Sequence, residues 1–597
     1  MIPYAAPIAD MRFVLDHVAG LDRIAALPGY DAATPDLVDS VLEEAGKFAA
    51  GVLAPINHIG DKAGSVLENG VVRLPEAFHQ AYGQFVEAGW NGLPFEPDFG
   101  GQGLPWTLAF AVQEMWQSAN MAFGLCPMLN QGAVELLTEH GSPEQKEVYL
   151  SRLVSGEWTG TMDLTEPQAG SDLAAVRARA VPDGAHYRLS GQKIFITYGD
   201  HEMAPNIIHL VLARLPDAPA GSKGISLFIV PKYLVNADGS LGGRNDIRCS
   251  GVEHKLGIKA SPTAVLVMGD NEGALGDLVG EPNRGLEYMF AMMNNARLSV
   301  GLQGLAIAER AYQQARDYAK ARVQSKDMRQ PRGDSVAIIN HPDVRRMLMT
   351  MKSATEACRG LVYQAGAALD TAKRHPDADQ AAAAQLRVDL LTPIVKSWCT
   401  DIGCEVTSIG VQIHGGMGFI EETGAAQHFR DARIAPIYEG TNGIQANDLV
   451  FRKLGRDGGA AARSYMAEIK ATAEALAARP GDDLAAIARN LTSALVALES
   501  ATAWLVGKLK PEPLAAAAGA ASYLRLFGLV AGAETLGRCA LAADDALRSR
   551  GGDPAFLTSK IITARFFAEQ LLPAAISLVP VITDGHSTVM ALTEEQF

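Results

Sequence analysis

"HYRLSGQKIFITYG", residues 186–199, lies in a chain that otherwise reads largely as helix, yet it reads as a strand. β-Branched and aromatic side chains alternate with polar ones, and "PDG" (182–184) just before it is a hairpin turn. "WTGTMDLTE" (158–166), "NIIHLVLARL" (206–215), "GISLFIVPKY" (224–233) and "TAVLVMG" (263–269) share this character. No helical crossover separates these strands, so the expected sheet is antiparallel. It occupies 156–284.

On both sides the helical period takes over. Residues 1–155 read as an N-terminal helical domain: "TPDLVDSVLEEAGKFAAGVLAPIN" (34–57) opens on a Thr34–Pro35 cap, and "SPEQKEVYLSRLVSGE" (142–157) on a Ser142…Gln145 capping box. "FEPDFGGQGLP" (95–105) is a glycine-rich loop between them. From 285 to 455, long helical runs at 286–326, 334–372 and 383–413 predict a bundle. "GRDGGAAARS" (455–464) reads as a linker, and 456–597 as an alanine-rich helical extension. The fold class is therefore α+β multidomain, in the order α, β, α, extra α.

A chain of 597 residues is too long for one simple core. The formal net charge of −15 argues against non-specific nucleic-acid binding. The six cysteines are scattered without a C-x-x-C pair, so neither zinc nor a disulfide framework is expected, and no metal. "MIPYAAPIADMRF" lacks a charged n-region before an apolar core, which fits a cytoplasmic setting. "LAAAAGAASYLRLFGLVAGA" (514–533) has the length of a membrane span but carries Arg525, and reads as a closely packed helix. "LLPAAISLVPVI" (571–582) is short and holds two prolines, so no membrane span is expected.

Five segments bear on chemistry. "LTEPQAGSD" (164–172) ends a strand in a turn whose Thr165 and Ser171 hydroxyls and Gly170 backbone suit an anion or a polar ring edge; it is equally a plain turn held by Asp172. In "QKIFITYG" (192–199), Phe195 and Thr197 share a strand face and suit a flat cofactor, or simple packing. Arg297 and Arg322 stand towards the two ends of a helical run as phosphate holders or surface charges. In "VQIHGGMGF" (411–419), Gly415 and Gly416 follow a helix as a cap, and His414 reads as structural. "FRDARIAPIYEGTNGIQANDLV" (429–450) places Glu439 in an apolar stretch before Gly440. That is a turn between helices, or a base whose apolar surround raises its pKa, with bare backbone N–H groups left to meet a carbonyl oxygen.

Together "LTEPQAGSD", "HKLGIKASPTAVLVM", "LQGLAIAERAYQQARDYAKAR", "VQIHGGMGF" and "IYEGTNGIQ" resemble the acyl-CoA dehydrogenase family, in that family's order, over roughly residues 80 to 455. The length and the start "YAAPIADMRFVLDHV" resemble a long subgroup with an added C-terminal helical domain, which includes enzymes of dimethylsulfoniopropionate breakdown acting on 3-methylmercaptopropionyl-CoA.

The resemblance implies FAD as cofactor and α,β-dehydrogenation of an acyl-CoA to the trans-2-enoyl-CoA. Electrons pass to electron-transferring flavoprotein. Glu439 then matches the base, its N–H polarising the thioester carbonyl together with a flavin ribityl hydroxyl. Leu164 and Thr165 match the flavin's pyrimidine edge, Ser171 a place near the cofactor and CoA pyrophosphates, Phe195 the usual tryptophan against the flavin, and Thr197 its N5 partner. Arg322 matches an arginine reaching the FAD diphosphate of a neighbouring subunit. Gln412, Gly415 and Gly416 match the adenosine side of that shared site. Thr441 should touch FAD, Arg297 lies near CoA and the base, and Gly440 faces substrate.

Two departures stand out. "RVQSKD" (322–327) replaces the family's usual Arg-Lys-Thr-Phe-Gly, and Ala296 carries no carboxylate where some members place the base. The C-terminal extension suggests a homodimer. An acyl-CoA oxidase passing electrons to oxygen shares the scaffold. A nucleic-acid-binding alkylation-response flavoprotein would need a basic C-terminal surface, which 456–597 lacks.

Overall fold

The computed structural model describes residues 3–236 and 238–597. Two compact units are formed. One takes Lys47–Leu104 and Ala119–Ser299; the other takes the N-terminal segment up to Gly46, Pro105–Ser118 and Val300–Phe597. These units cut across the four sequence segments, because helices near in sequence pack on partners far along the chain. Trp106–Ala119, for example, sends Glu114 to Arg359 of the helix Pro342–Arg374.

The first of these units holds an eight-stranded sheet. In chain order its strands are β1 Thr159–Asp163, β2 Arg179–Asp183, β3 His186–Thr197, β4 Ile207–Ala213, β5 Ser226–Pro231, β6 Ile247–Val252, β7 Thr263–Met268 and β8 Ala274–Leu278. They lie side by side as β6-β7-β3-β8-β5-β4-β1, with β2 also on β3. The "PDG" turn joins β2 to β3 with Asp183 opposite His186, and Gly184 at φ 63°. All pairings are antiparallel except β1 with β4, which is parallel. The expectation of a wholly antiparallel sheet is corrected there. The link from β1 to β4 carries β2 and β3, long enough to return the chain in its starting direction.

Inward residues of the sheet, among them Leu189, Ile196, Val211, Phe228 and Leu266, form one apolar core. The Ser142 box caps Pro143–Ser155 as the sequence suggests, with both reciprocal bonds made. The same unit also holds a small hairpin, Val66–Glu68 with Val71–Arg73, turned by Asn69 and Gly70 at φ 52° and 78°. "NG" between apolar residues is a hairpin signal.

The other unit is helical. The run expected over 286–326 is a helix only over Gly285–Ala321, and Val323–Lys326 instead pairs with Ser335–Ala337. Ser325 takes φ 62° there, which breaks the helical path. Pro342–Arg374 and Ala378–His414 follow as two long helices. The expected linker is a tight turn: Gly458 and Gly459 take positive φ, and the Asp457 carboxylate accepts from the N–H groups of Gly459, Ala460 and Ala461.

The extension is a helical group that includes Ala460–Ala477, Asp482–Lys508, Pro513–Ser549 and Pro554–Gln570. Among the described residues, two stretches are long and apolar enough to cross a membrane by length and composition. Pro513–Ser549 is mostly buried inside the unit, while Pro554–Thr583 is mostly exposed and is broken by a turn at 571–573. Gly528 of Pro513–Ser549 packs on the Trp398 ring so closely that a Cβ would fall within it.

Candidate active site

Glu439 stands at the tip of a loop. The Asn442 N–H donates to the Pro436 carbonyl at 3.0 Å and closes that loop. Glu439 and Gly440 are both left-handed, at φ 56° and 80°. This is strained for a glutamate and persists only where neighbours over-determine it. The neighbours are present. The Asn442 amide donates to Asp401 (2.7 Å) and the Ser397 carbonyl (3.1 Å), and accepts from the buried Lys396 ammonium (2.9 Å). Gln445 donates to the Glu439 carbonyl at 3.1 Å, and the Tyr438 hydroxyl donates to Gln303. Burial, and then the charge of Glu439, push the Tyr438 phenol well up, so it stays a neutral donor. A Cβ on Gly440 would meet Gln445 Nε2 at 2.8 Å. Thr441 caps the next helix, its hydroxyl accepting from the Ile444 N–H.

At the far end of Gly285–Ala321 stands Arg322, exposed. Gln412, Gly415 and Gly416 end the helix Ala378–His414, and Tyr318 stacks on His414 at 4.4 Å, so the two helix ends lie side by side. No atom lies within 4 Å of a Cβ built on Gly415 or Gly416, which leaves their backbone open to a ligand. His414 is structural: its Nδ1 meets the Gly410 carbonyl, and burial lowers its pKa. Gln303, which holds Tyr438, and Arg322 are separated by about 28 Å of helix.

The sheet unit gathers the other predicted residues. Phe195 is 59% exposed between half-buried Ile194 and buried Ile196. The simple alternation expected for Phe195 and Thr197 is broken: the β3–β7 register slips beside Phe195, and its φ is 58°. A bulge re-aims a side chain in this way. Leu164 and Thr165 follow β1 and are tied to β3, with the Ile194 N–H donating to the Thr165 carbonyl at 2.9 Å. Ser171 is exposed in the turn that Asp172 caps. Arg297 is buried, its guanidinium 5.8 Å from the Phe290 ring, so a surface role is excluded.

Sequence reading missed Lys193 and Glu166, although both lie inside quoted segments. Their alternation with apolar neighbours resembles a solvated strand face, and nothing local marks the pair as buried.

Four family models match in order: the acyl-CoA dehydrogenase N-terminal domain (39–157), middle domain (161–270) and C-terminal domain (283–454), then acetyl-CoA dehydrogenase C-terminal like (465–593). The 3-methylmercaptopropionyl-CoA dehydrogenase of Ruegeria pomeroyi is 48% identical over 98% of this chain and 99% of its own. The broad-specificity linear acyl-CoA dehydrogenase FadE5 of Mycobacterium tuberculosis is 33% identical over the full length of both. The crystal structure of Caenorhabditis elegans ACDH-11 in complex with C11-CoA shares the fold, with a TM-score of 0.76 at 21% identity over 96% of this chain and 93% of that one. With end-to-end identity of this order, and with all four family segments in sequence along it, the chain belongs to the acyl-CoA dehydrogenase family.

Proposed function

We propose that Glu439 is the base of an FAD-dependent acyl-CoA dehydrogenation, and that 3-methylmercaptopropionyl-CoA is a substrate. The observation that carries this reading is the braced, left-handed loop at Glu439–Gly440, which presents a carboxylate beside bare backbone. The carboxylate removes the α-proton, which the thioester makes acidic, while the Glu439 N–H holds the thioester oxygen. FAD, when bound, supplies the acceptor for the hydride leaving the β-carbon, and a Cα=Cβ bond remains.

The open glycines at 415 and 416 and the exposed, strained Phe195 fit such a flat, diphosphate-bearing group. Phe195, Thr197, Leu164, Thr165, Ser171 and Thr441 are the residues that would hold it. Arg297 serves the CoA thioester and Gly440 gives it room. Arg322, Gln412, Gly415 and Gly416 would hold the cofactor of a second subunit in a homodimer. The separation of Arg322 from the Tyr438–Gln303 contact along one helix supports that division. Segments 1–155, 156–284, 285–455 and 456–597 are kept as the functional division, the chain acts in the cytoplasm, and electrons leave to electron-transferring flavoprotein.

The test is anaerobic titration of wild type and Glu439→Gln with butyryl-, octanoyl-, palmitoyl- and 3-methylmercaptopropionyl-CoA, following flavin absorbance. Wild type is expected to bleach, fastest with the sulfur-containing substrate. The variant keeps its flavin and slows by roughly 10²–10⁴. A variant that bleaches like wild type refutes Glu439 as the base. Rapid oxygen uptake without another acceptor would instead make the chain an oxidase.

A further inference from the structure

Lys193 is fully buried in β3 and Glu166 is 4% exposed in the turn after β1. The ammonium donates to Glu166 Oε1 at 2.8 Å and to the Leu164 carbonyl at 3.0 Å. Glu166 also accepts from the N–H groups of Arg177 (2.7 Å) and Ala178 (3.0 Å) and from the Gln168 amide (2.6 Å). One ion pair thus joins two segments assigned to the cofactor, Leu164–Thr165 and Phe195–Thr197. The neighbouring backbone bond from Ile194 to Thr165 runs alongside it.

Burying an ion pair is costly, and an apolar pair of like size often does as well for stability. What an apolar pair cannot supply is a fixed cation with a matched anion directly behind the Leu164 carbonyl. Burial, opposed by Glu166, lowers the Lys193 pKa, while Lys193 and the backbone donors of Arg177 and Ala178 outweigh burial at Glu166 and lower its own. The 2.8 Å contact between Lys193 Nζ and Glu166 Oε1 has the geometry of an ion pair.

We propose that Lys193 and Glu166 are positioning residues that fix the Leu164–Thr165 edge against the flavin and set its reduction potential by their balanced charge. This rests on the flavin reading of Leu164 and Thr165. A flavin gains negative charge on reduction, so an unmatched cation behind that edge favours the reduced form and an unmatched anion disfavours it.

The experiment measures the midpoint potential of bound FAD, and the FAD dissociation constant, in wild type, Glu166→Gln, Lys193→Met and the double variant Glu166→Met/Lys193→Met. Glu166→Gln should favour the reduced form at least tenfold, about 30 mV for a two-electron couple. Lys193→Met should disfavour it by a similar factor, and the double variant should return towards wild type. Shifts of one sign in both single variants, or none, overturn the proposal, since a merely structural pair would not give opposite signs. If Lys193→Met does not fold, Glu166→Gln alone decides: an unchanged or lowered potential overturns it. A wild type that binds no FAD overturns the flavin reading itself and this proposal with it. A wild type that binds FAD while the variants show no opposed shifts overturns the proposal alone.

Discussion

Glycine at 440 is fixed by two separate demands. Its φ of 80° is a conformation that side chains resist, and a Cβ there would press on the Gln445 amide that steadies the Glu439 carbonyl. Gly440→Ala is therefore expected to destabilise the protein by more than about 1 kcal/mol, the range for alanine at an incompatible φ. It should also both slow flavin reduction and raise the acyl-CoA KM, because the added Cβ presses on the Gln445 amide that steadies the base and takes the room proposed for the thioester. Thermal unfolding together with stopped-flow reduction checks both. At this scale the local patterns on which the proposed site rests were legible. Glu439 before Gly440 is a local pattern, as is the turn at Gly170. The burial of Arg297 was not, since an arginine in a helical run gives no local sign of it. Nor was the re-aimed Phe195, whose bulge depends on how β7 pairs with β3.

Between elements, buried charge joins helices from distant parts of the chain. Lys560 of Pro554–Gln570 donates to Asp10 at 2.6 Å and to Glu356 at 2.7 Å, and is fully enclosed. Arg359 bridges Asp10 (2.6 Å), Glu114 (2.6 Å) and Glu309 (2.8 Å), and Tyr363 donates to Glu114. Burial alone would raise the Asp10 carboxyl, but Lys560, Arg359 and Lys352 together hold it well below the usual range. At Glu114, burial wins over Arg359 and its pKa rises. A carboxylate depressed on folding adds stability that is complete above its unfolded pKa, about 4, and is lost as pH falls below that. Lys560→Met should cost roughly 3 kcal/mol near neutral pH, because two buried carboxylates each lose one of their cations. It should also flatten the acid side of a melting-temperature profile relative to wild type. An unchanged acid limb would show that Asp10 does not depend on Lys560. Capping boxes and the "PDG" hairpin could be read from sequence because their partners lie within a few residues. This network could not, because its partners come from five separate helices.

The C-terminal extension is part of the helical unit's core and not an appendage to it. Trp398 of the bundle is roofed by Gly528 and Gly532 of Pro513–Ser549, and Gly360 of the bundle sits against Thr535. Deleting residues 456–597 would uncover these faces, and would strip Lys560 from Asp10. The truncated chain is expected to accumulate as aggregate, where light scattering and soluble yield would report it. A soluble, flavin-binding 1–455 fragment would contradict this account. The same packing explains why 514–533 passes a membrane-length test while lying largely inside the protein.

The bond between Asp10 and Lys560 spans 550 residues. At about 5–20 residues per second of translation, Asp10 leaves the ribosome roughly 30 to 110 s before its partner exists. The unit containing the sheet has all its sequence by Ser299 and is free to fold on the nascent chain. Within the helical unit Asp10 can meet Arg359 well before Lys560 is made, so the charge cluster is completed in two stages, and nascent-chain chaperones have the interval between them in which to engage the opening helices.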